Sequence, residues 1–343
     1  MEKYSKWRDS GTGIHPFLQP TGARAHETAY GSVVDLGKRF LFGPVMAAVR
    51  MAALSVVAAA EVAASAIGSL LVVPSVRRGW ERCTRCVLAR LALFAMGFYS
   101  IDTKRISLQK GRRSANKDTE TAVKSGDIIL ANHVSYIDVL YLATAYNPVF
   151  VEMDNATTYA RPISLWEALR APARPTPALL PAGDARPLKS ITEEARAKQR
   201  GPVVVFPENA TTNGRALLQF LPLFEETENQ DEKSIVHLMA LKYPFKAFSP
   251  AYSVGNQLGH LFSLCCQMYN SLAVRVLESS EVPRIKESAM FCDAEDEPVD
   301  LDEAVRDKLT QLSRLRMTKL TAMDKRDFLA FYHKRSKGYK TTI

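Results

Sequence analysis

Residues 51–73 read MAALSVVAAAEVAASAIGSLLVV, an apolar run of 23 residues with one charge, Glu61. As a helix it rises about 35 Å, enough to cross a hydrocarbon core of ~30 Å. Its alanine content makes it a weak membrane segment. Four arginines follow between Arg77 and Arg85, and a second apolar stretch, residues 86–101, is shorter and broken by Arg90. Together these predict a helical pair over residues 41–101 that anchors one face of the protein to a membrane. Arg50 and Arg90 are placed to snorkel, and Trp80 and Tyr99 suit a membrane interface. Lys38 and Arg39 precede the first run, so positive charge on both sides sets no orientation and favours shallow embedding over spanning. A buried helical hairpin is the other reading of the same residues.

The rest of the chain has the composition of a folded protein. Apolar residues make 47% and charged residues 24% of 343, which excludes a disordered chain and a polytopic transporter. Net charge is +9, which calls for an anionic partner: nucleic acid, an acidic membrane surface or a phosphorylated substrate. No nucleic-acid-binding motif accompanies it. Five cysteines make no disulfide framework and point to a reducing, cytosol-facing environment. Cys83-x-x-Cys86 lacks a second ligand pair, so no metal is expected; their position beside the apolar runs leaves palmitoylation open.

Residues 1–40 mix Gly, Pro, Ser and charges without period and read as a flexible N-terminal segment with no secretory signal. Residues 104–124 carry seven Lys/Arg, either a juxtamembrane basic patch or a solvated loop. From 102 to 282, short β-rich runs (127–131, 148–152, 177–182, 202–208, 234–244, 245–254, 272–278) alternate with helical stretches (137–146, 188–199, 258–270). That alternation predicts an α/β domain with a mixed β-sheet flanked by helices. Residues 283–343 comprise an acidic linker and C-terminal helices. The first of these helices is capped by Asp300 and Glu303 and striped by Leu301, Val305, Leu309, Leu312 and Leu315. The last mixes aromatics with Lys/Arg, as a packed helix or a membrane-surface contact.

Two segments carry chemistry. The first is Asn-His-Val-Ser-Tyr-Ile-Asp, residues 132–138, at the end of a strand. Five positions on one helix are about 140° apart, not one face, but a strand-to-helix turn can fold Asp138 back against His133. The carboxylate then holds one ring nitrogen and leaves the other free as a base. The second is Phe-Pro-Glu-Asn-Ala-Thr-Thr-Asn-Gly-Arg, residues 206–215. Hydroxyls, backbone N–H groups at a glycine turn and a guanidinium are groups that hold a phosphate. Alone, this second segment would read as an ordinary Asn-Gly turn after a strand.

These two segments resemble the Asn-His-x4-Asp and Phe-Pro-Glu-Gly-Thr blocks of the glycerophospholipid (1-acylglycerol-3-phosphate, PlsC-like) acyltransferase family, nearest in pattern to its fungal members that use lysophosphatidic acid and oleoyl-CoA. Residues 235–254, with their Lys-Tyr-Pro stretch, and 260–283 continue the likeness, which covers roughly 100–282. The resemblance implies the glycerolipid acyltransferase fold behind an N-terminal membrane-embedded helical pair. It implies transfer of a fatty acyl chain from acyl-CoA, a co-substrate with no other cofactor, to the free hydroxyl of lysophosphatidic acid. His133 would be the general base and Asp138 its orienter. Glu208, Thr211, Thr212, Asn213, Gly214 and Arg215 would form the substrate-phosphate pocket, with Arg186, in a poorly matched middle block, a further phosphate ligand. It implies partners in acyl-CoA, a lysophospholipid and a membrane surface, at the endoplasmic reticulum and lipid droplet, with the site facing the cytosol. Acceptors such as lysophosphatidylcholine or lysophosphatidylethanolamine, or a non-catalytic lipid-surface protein on the same scaffold, are the alternatives. One departure is Asn209-Ala210 where the family has Gly-Thr; an Asn side chain there is expected to crowd a close backbone approach.

Overall fold

In the computed structural model, residues 4–22, 42–109, 122–155, 157, 159–176, 180, 184–224, 233–283 and 301–340 are described. The central strands are the most apolar runs of the sequence: β2 (Ile128–Ala131), β5 (Val203–Val205) and β7 (Val236–Lys242). Such runs suit strands buried on both faces. With β1 (Ile101–Ile106), β3 (Val149–Met153), β4 (Ala160–Ile163) and β8 (Leu272–Leu277) they form a seven-stranded sheet in the order β1-β8-β7-β2-β5-β3-β4. Strands β7, β2, β5 and β3 are mutually parallel, β4 pairs antiparallel to β3, and β8 pairs antiparallel to β7 and parallel to β1. The mixed sheet flanked by helices is therefore as the sequence predicts.

Side chains alternate across the pleat and build two cores. Ile129, Ala131, Val204, Met239 and Leu241 face α3 (Tyr136–Tyr146) and the N-terminal pair, α1 (Gly43–Leu70) and α2 (Pro74–Ala95). Ile128, Leu130, Val203, Val205 and Leu238 face α5 (Leu188–Ala197) and α7 (Leu301–Ser313), while the short α4 (Leu165–Arg170) and α6 (Gln257–Cys265) pack on the first core. The predicted stripe of α7 is buried at Leu301, Val305, Leu309 and Leu312, while Leu315 lies beyond the helix; Asp300 falls outside the described residues.

The helical pair packs on the α/β domain at its base. The arginine-rich stretch is itself helical, forming the first half of α2, and Leu93 and Met96 enter the first core. Arg50 does not snorkel. It is buried and donates to the carbonyls of Cys265 (3.2 Å), Gln267 (2.5 Å) and Met268 (2.9 Å) and to the Tyr99 hydroxyl (2.6 Å). Trp80 donates to the Ala64 carbonyl (2.9 Å), closing the hairpin at its far end. The opposite face of α1 leaves Val45, Val49, Val56, Val62 and Ile67 exposed. By length and composition α1 could cross a membrane. The α/β domain holds only its first turns, through Ala47 and Arg50, and beyond them α1 stays a candidate membrane span with an exposed apolar flank.

Residues 4–22 depart from the flexible reading. Trp7 and Phe17 bury against Phe328 and Leu329 of α8 (Ala322–Lys340) in a third core, so α8 is a packed helix. A two-residue parallel ladder, β6 (Ala216–Leu217) with β9 (Arg316–Met317), ties this region to the segment after Arg215. Residues 245–254, read as a strand, are irregular and, among the described residues, bridge once, Phe248 to Thr21. Residues 177–179 and 181–183, most of another expected strand, lie outside the described residues, as do 110–121 of the basic patch.

Candidate active site

β2 ends at Ala131, and Asn132 clamps the adjoining strand end, donating to the Leu241 carbonyl (3.0 Å) and accepting its N–H (2.7 Å). The chain then turns into α3, where Ser135 is extended at the N-cap and Asp138 occupies the third helical position. There a carboxylate accepts the N–H groups that a helix start leaves unpaired. Asp138 Oδ2 takes the backbone N–H of Val134 (2.7 Å) and Ser135 (2.8 Å) and stands 3.1 Å from His133 Nδ1. Its other oxygen accepts the Tyr243 hydroxyl. Thus the turn, not helical periodicity, brings Asp138 to His133.

Both residues are buried, and the imidazole stacks on Phe206 with centroids 4.0 Å apart. Burial holds His133 below its ordinary pKa; the Asp138 hydrogen bond and charge oppose this, and Lys325 adds to it. The ring is therefore neutral near pH 7, with Nδ1–H directed to the carboxylate and Nε2 carrying the lone pair. Nε2 has no hydrogen-bond partner among the described residues. It borders a cavity of about 350 Å³ shared with Thr211, Asn209, Arg161, Arg174 and Lys325.

The second segment splits between roles. Glu208 is a brace, not a cavity group: one oxygen accepts the His133 N–H (3.1 Å), the other that of Leu218 (2.9 Å). Burial pushes its carboxyl up to about 8. Thr212 donates its N–H to the His133 carbonyl (3.0 Å) and accepts the Gly214 N–H on its hydroxyl (3.3 Å). Of the segment's two threonines, Thr211 lines the cavity and Thr212 does not. Asn213 turns away and grips the N-terminal strap through the carbonyls of His15 (2.7 Å) and Leu18 (2.9 Å). Gly214 is needed for its backbone: φ is +70°, and a Cβ would sit 3.1 Å from Val134. Arg215 is exposed and opens onto a separate cleft of about 110 Å³ beside Tyr243. Arg186 pairs with Glu194 of α5 and lines neither cavity.

The expected clash at Asn209 does not arise. Its φ is +47°, the left-handed region that glycine occupies freely and asparagine tolerates. Its amide donates to the Met153 carbonyl (2.8 Å) and to Asn155 (3.2 Å), so the side chain points along β3 and away from His133.

Lys325 was not foreseen. It is buried, and its ammonium donates to the carbonyl and hydroxyl of Thr211. Burial draws it down to about 7, the Glu208 carboxylate opposing. One lysine in a basic, aromatic helix gives no sequence signal. Arg161, tied to Glu152 (2.9 Å), and Arg174 complete the cationic lining; Tyr243, behind Asp138, comes from the Lys-Tyr-Pro stretch.

The fold and pair define an α/β protein with a carboxylate-held histidine facing a cationic cavity. The resemblance to the glycerophospholipid acyltransferases holds over the whole length of the chain. It is 28% identical over 336 residues, 96% of its length and 97% of the relative, to a Schizosaccharomyces pombe protein provisionally named a lysophosphatidic acid:oleoyl-CoA acyltransferase. It is 29% identical over 214 residues to the lysophospholipid acyltransferase LPEAT1 of Arabidopsis thaliana, covering 57% of this chain and 52% of that one. Among solved structures it is similar to the 1-acyl-sn-glycerophosphate acyltransferase PlsC of Thermotoga maritima, with a TM-score of 0.40 and 12% identity over 79% of this chain and 97% of that one. No protein-family model matches the chain.

Proposed function

We propose that this protein is an acyl-CoA-dependent O-acyltransferase that converts lysophosphatidic acid to phosphatidic acid. His133 Nε2 takes the proton of the acceptor's free hydroxyl as that oxygen attacks the thioester carbonyl. The tetrahedral intermediate collapses, the carbon–sulfur bond breaks, and the imidazolium returns its proton to the departing thiolate. Asp138 holds the ring and stabilises its charged form; no acyl-enzyme and no cofactor beyond the acyl-CoA co-substrate is needed. The observation that carries this reading is the buried, neutral His133 held by Asp138 with Nε2 on a cavity wall. The names of the two relatives support it. A phosphate monoester suits a cavity holding Arg161, Arg174 and Lys325 against Glu152 and Glu167. The test is a panel of purified lyso-acceptors with labelled oleoyl-CoA. Transfer fastest to lysophosphatidic acid is expected. Preference for a choline or ethanolamine headgroup replaces the acceptor, and inertness toward all of them removes the enzyme.

The acceptor resides in a membrane, and the exposed flank of α1 is the surface we assign to it, at the endoplasmic reticulum and lipid droplet with the site toward the cytosol. The free cysteines and the Asn209 amide, spent on hydrogen bonds within its Asn-x-Thr sequon, suit that side. Val56→Asp with Val62→Asp is expected to weaken co-sedimentation with phospholipid vesicles by about tenfold or more, since two apolar contacts are lost. Circular dichroism should not change. Unaltered vesicle binding would move the docking face elsewhere.

A further inference from the structure

A second cavity, of about 1250 Å³, opens at the opposite end of the sheet, between α2, the end of α3 and the starts of β3 and β5. Arg78, Arg82, Arg85, Lys124, Arg196 and Arg200 line it, with Glu81 the one acidic group among its lining residues. Glu81 is already bonded to Arg77 (2.8 Å). Arg85 is engaged with Asn147 (3.3 Å) and Glu61 (3.7 Å), Arg196 with Ser234 (2.7 Å), and Arg200 stands 3.7 Å from Glu194. Arg78, Arg82 and Lys124 have no side-chain partner among the described residues. So many cations around one concavity repel one another, and polyanionic phosphate is the chemistry that relieves this.

The groove adjoins the His133 cavity, for both have Phe150 and Ile163 in their walls. Its lining includes Pro202, just before β5, and Phe206, just after β5, stacks on His133. Four residues of strand cover about 13 Å. An extended pantetheine arm is of comparable length.

We propose that this arginine groove binds the phosphate-bearing nucleotide end of acyl-CoA, with the pantetheine arm passing the shared wall of Phe150 on β3 and Ile163 on β4 to bring the thioester to His133. The assignment rests on the acyl-transfer reading for the donor's identity and adds where that donor is held. Charged hydrogen bonds to phosphate set the size of the effect.

The combined variant Arg78→Gln, Arg82→Gln and Lys124→Gln tests it, because none of these side chains fastens the fold. With oleoyl-CoA the KM is expected to rise about tenfold or more, while the KM for lysophosphatidic acid and for oleoyl-pantetheine, which lacks the phosphates, stays at the wild-type value. Calorimetric titration with free CoA should show the same loss without any turnover. Unchanged CoA affinity overturns the proposal. So does a rise confined to the lysophosphatidic acid KM, which would give the groove to the acceptor, or a loss confined to anionic-vesicle binding, which would give it to the membrane surface. A wild type that binds CoA in this groove but transfers nothing defeats the acyl-transfer reading and leaves the groove standing.

Discussion

His133→Ala is expected to lower kcat for oleoyl transfer by a factor of about 10²–10⁴, the usual worth of a positioned general base. The loss should fall on chemistry and not on folding. Asp138 keeps its bonds to the Val134 and Ser135 N–H groups and to Tyr243 when the imidazole goes, so the turn into α3 survives. The His133 backbone, bonded to Glu208 and Thr212, is untouched by the change. Asp138→Ala should behave differently. It strips four donors, His133 Nδ1–H among them, of their acceptor at a buried helix start, so the melting temperature drops along with activity. The wild-type pH profile carries the sign. Burial favours the neutral ring, so the base form is lost, and activity should decline, only as pH falls below the ordinary histidine range. A His133→Ala protein retaining more than about a tenth of wild-type kcat would show that the proton leaves by another route.

The pair was legible because what brings it together is local: six consecutive positions, a capping carboxylate and a strand end. The inner strands were legible because continuous apolar runs have few other uses in a domain of this size. The edge strands were not. β1 reads Ile-Asp-Thr-Lys-Arg-Ile and β4 reads Ala-Arg-Pro-Ile, and strands with one solvated side carry charges and proline that resemble loop composition. Residues 245–254 failed in the opposite sense. Their apolar side chains pack between the N-terminal strap and the cluster of Tyr136, Tyr252 and His260, which needs bulk but no ladder. The segment 206–215 shows the sharper limit. Its composition suggests phosphate contact throughout, yet Asn213 faces the N-terminal strap and Arg215 another cleft. Which way each side chain turns depends on residues 4–22 and on α8, far off in the chain, and no local pattern reports them. The left-handed backbone at Asn209 was half legible: the family's glycine marked the conformation, and asparagine is the residue that can replace it.

The same distant helix supplies the second large effect. Lys325→Met, which keeps an unbranched apolar stem, is expected to reduce kcat/KM for lysophosphatidic acid by about ten- to a hundredfold, the worth of one to two charge-assisted hydrogen bonds. Lys325 spends two of its three ammonium protons on Thr211, and the residue borders the cavity on which Nε2 of His133 opens. An acceptor phosphate in that cavity would take the third. Most of the change should therefore appear in the acceptor KM. Stability should shift little, since a costly buried charge is removed as well as a donor to the Thr211 carbonyl. The pH dependence separates a ligand from a strut. Burial draws this ammonium down to about 7, so the charged form is present below that value and is lost as pH rises through it. The wild-type acceptor KM should accordingly climb above about pH 7, and the methionine variant should show a high KM with no such climb. Lys325→Arg, retaining a cation with a longer reach, should recover part of the affinity and hold it to higher pH, because guanidinium does not titrate there. An unchanged acceptor KM in Lys325→Met, with the wild-type climb intact, would reduce this lysine to a fastener of the Thr211 loop.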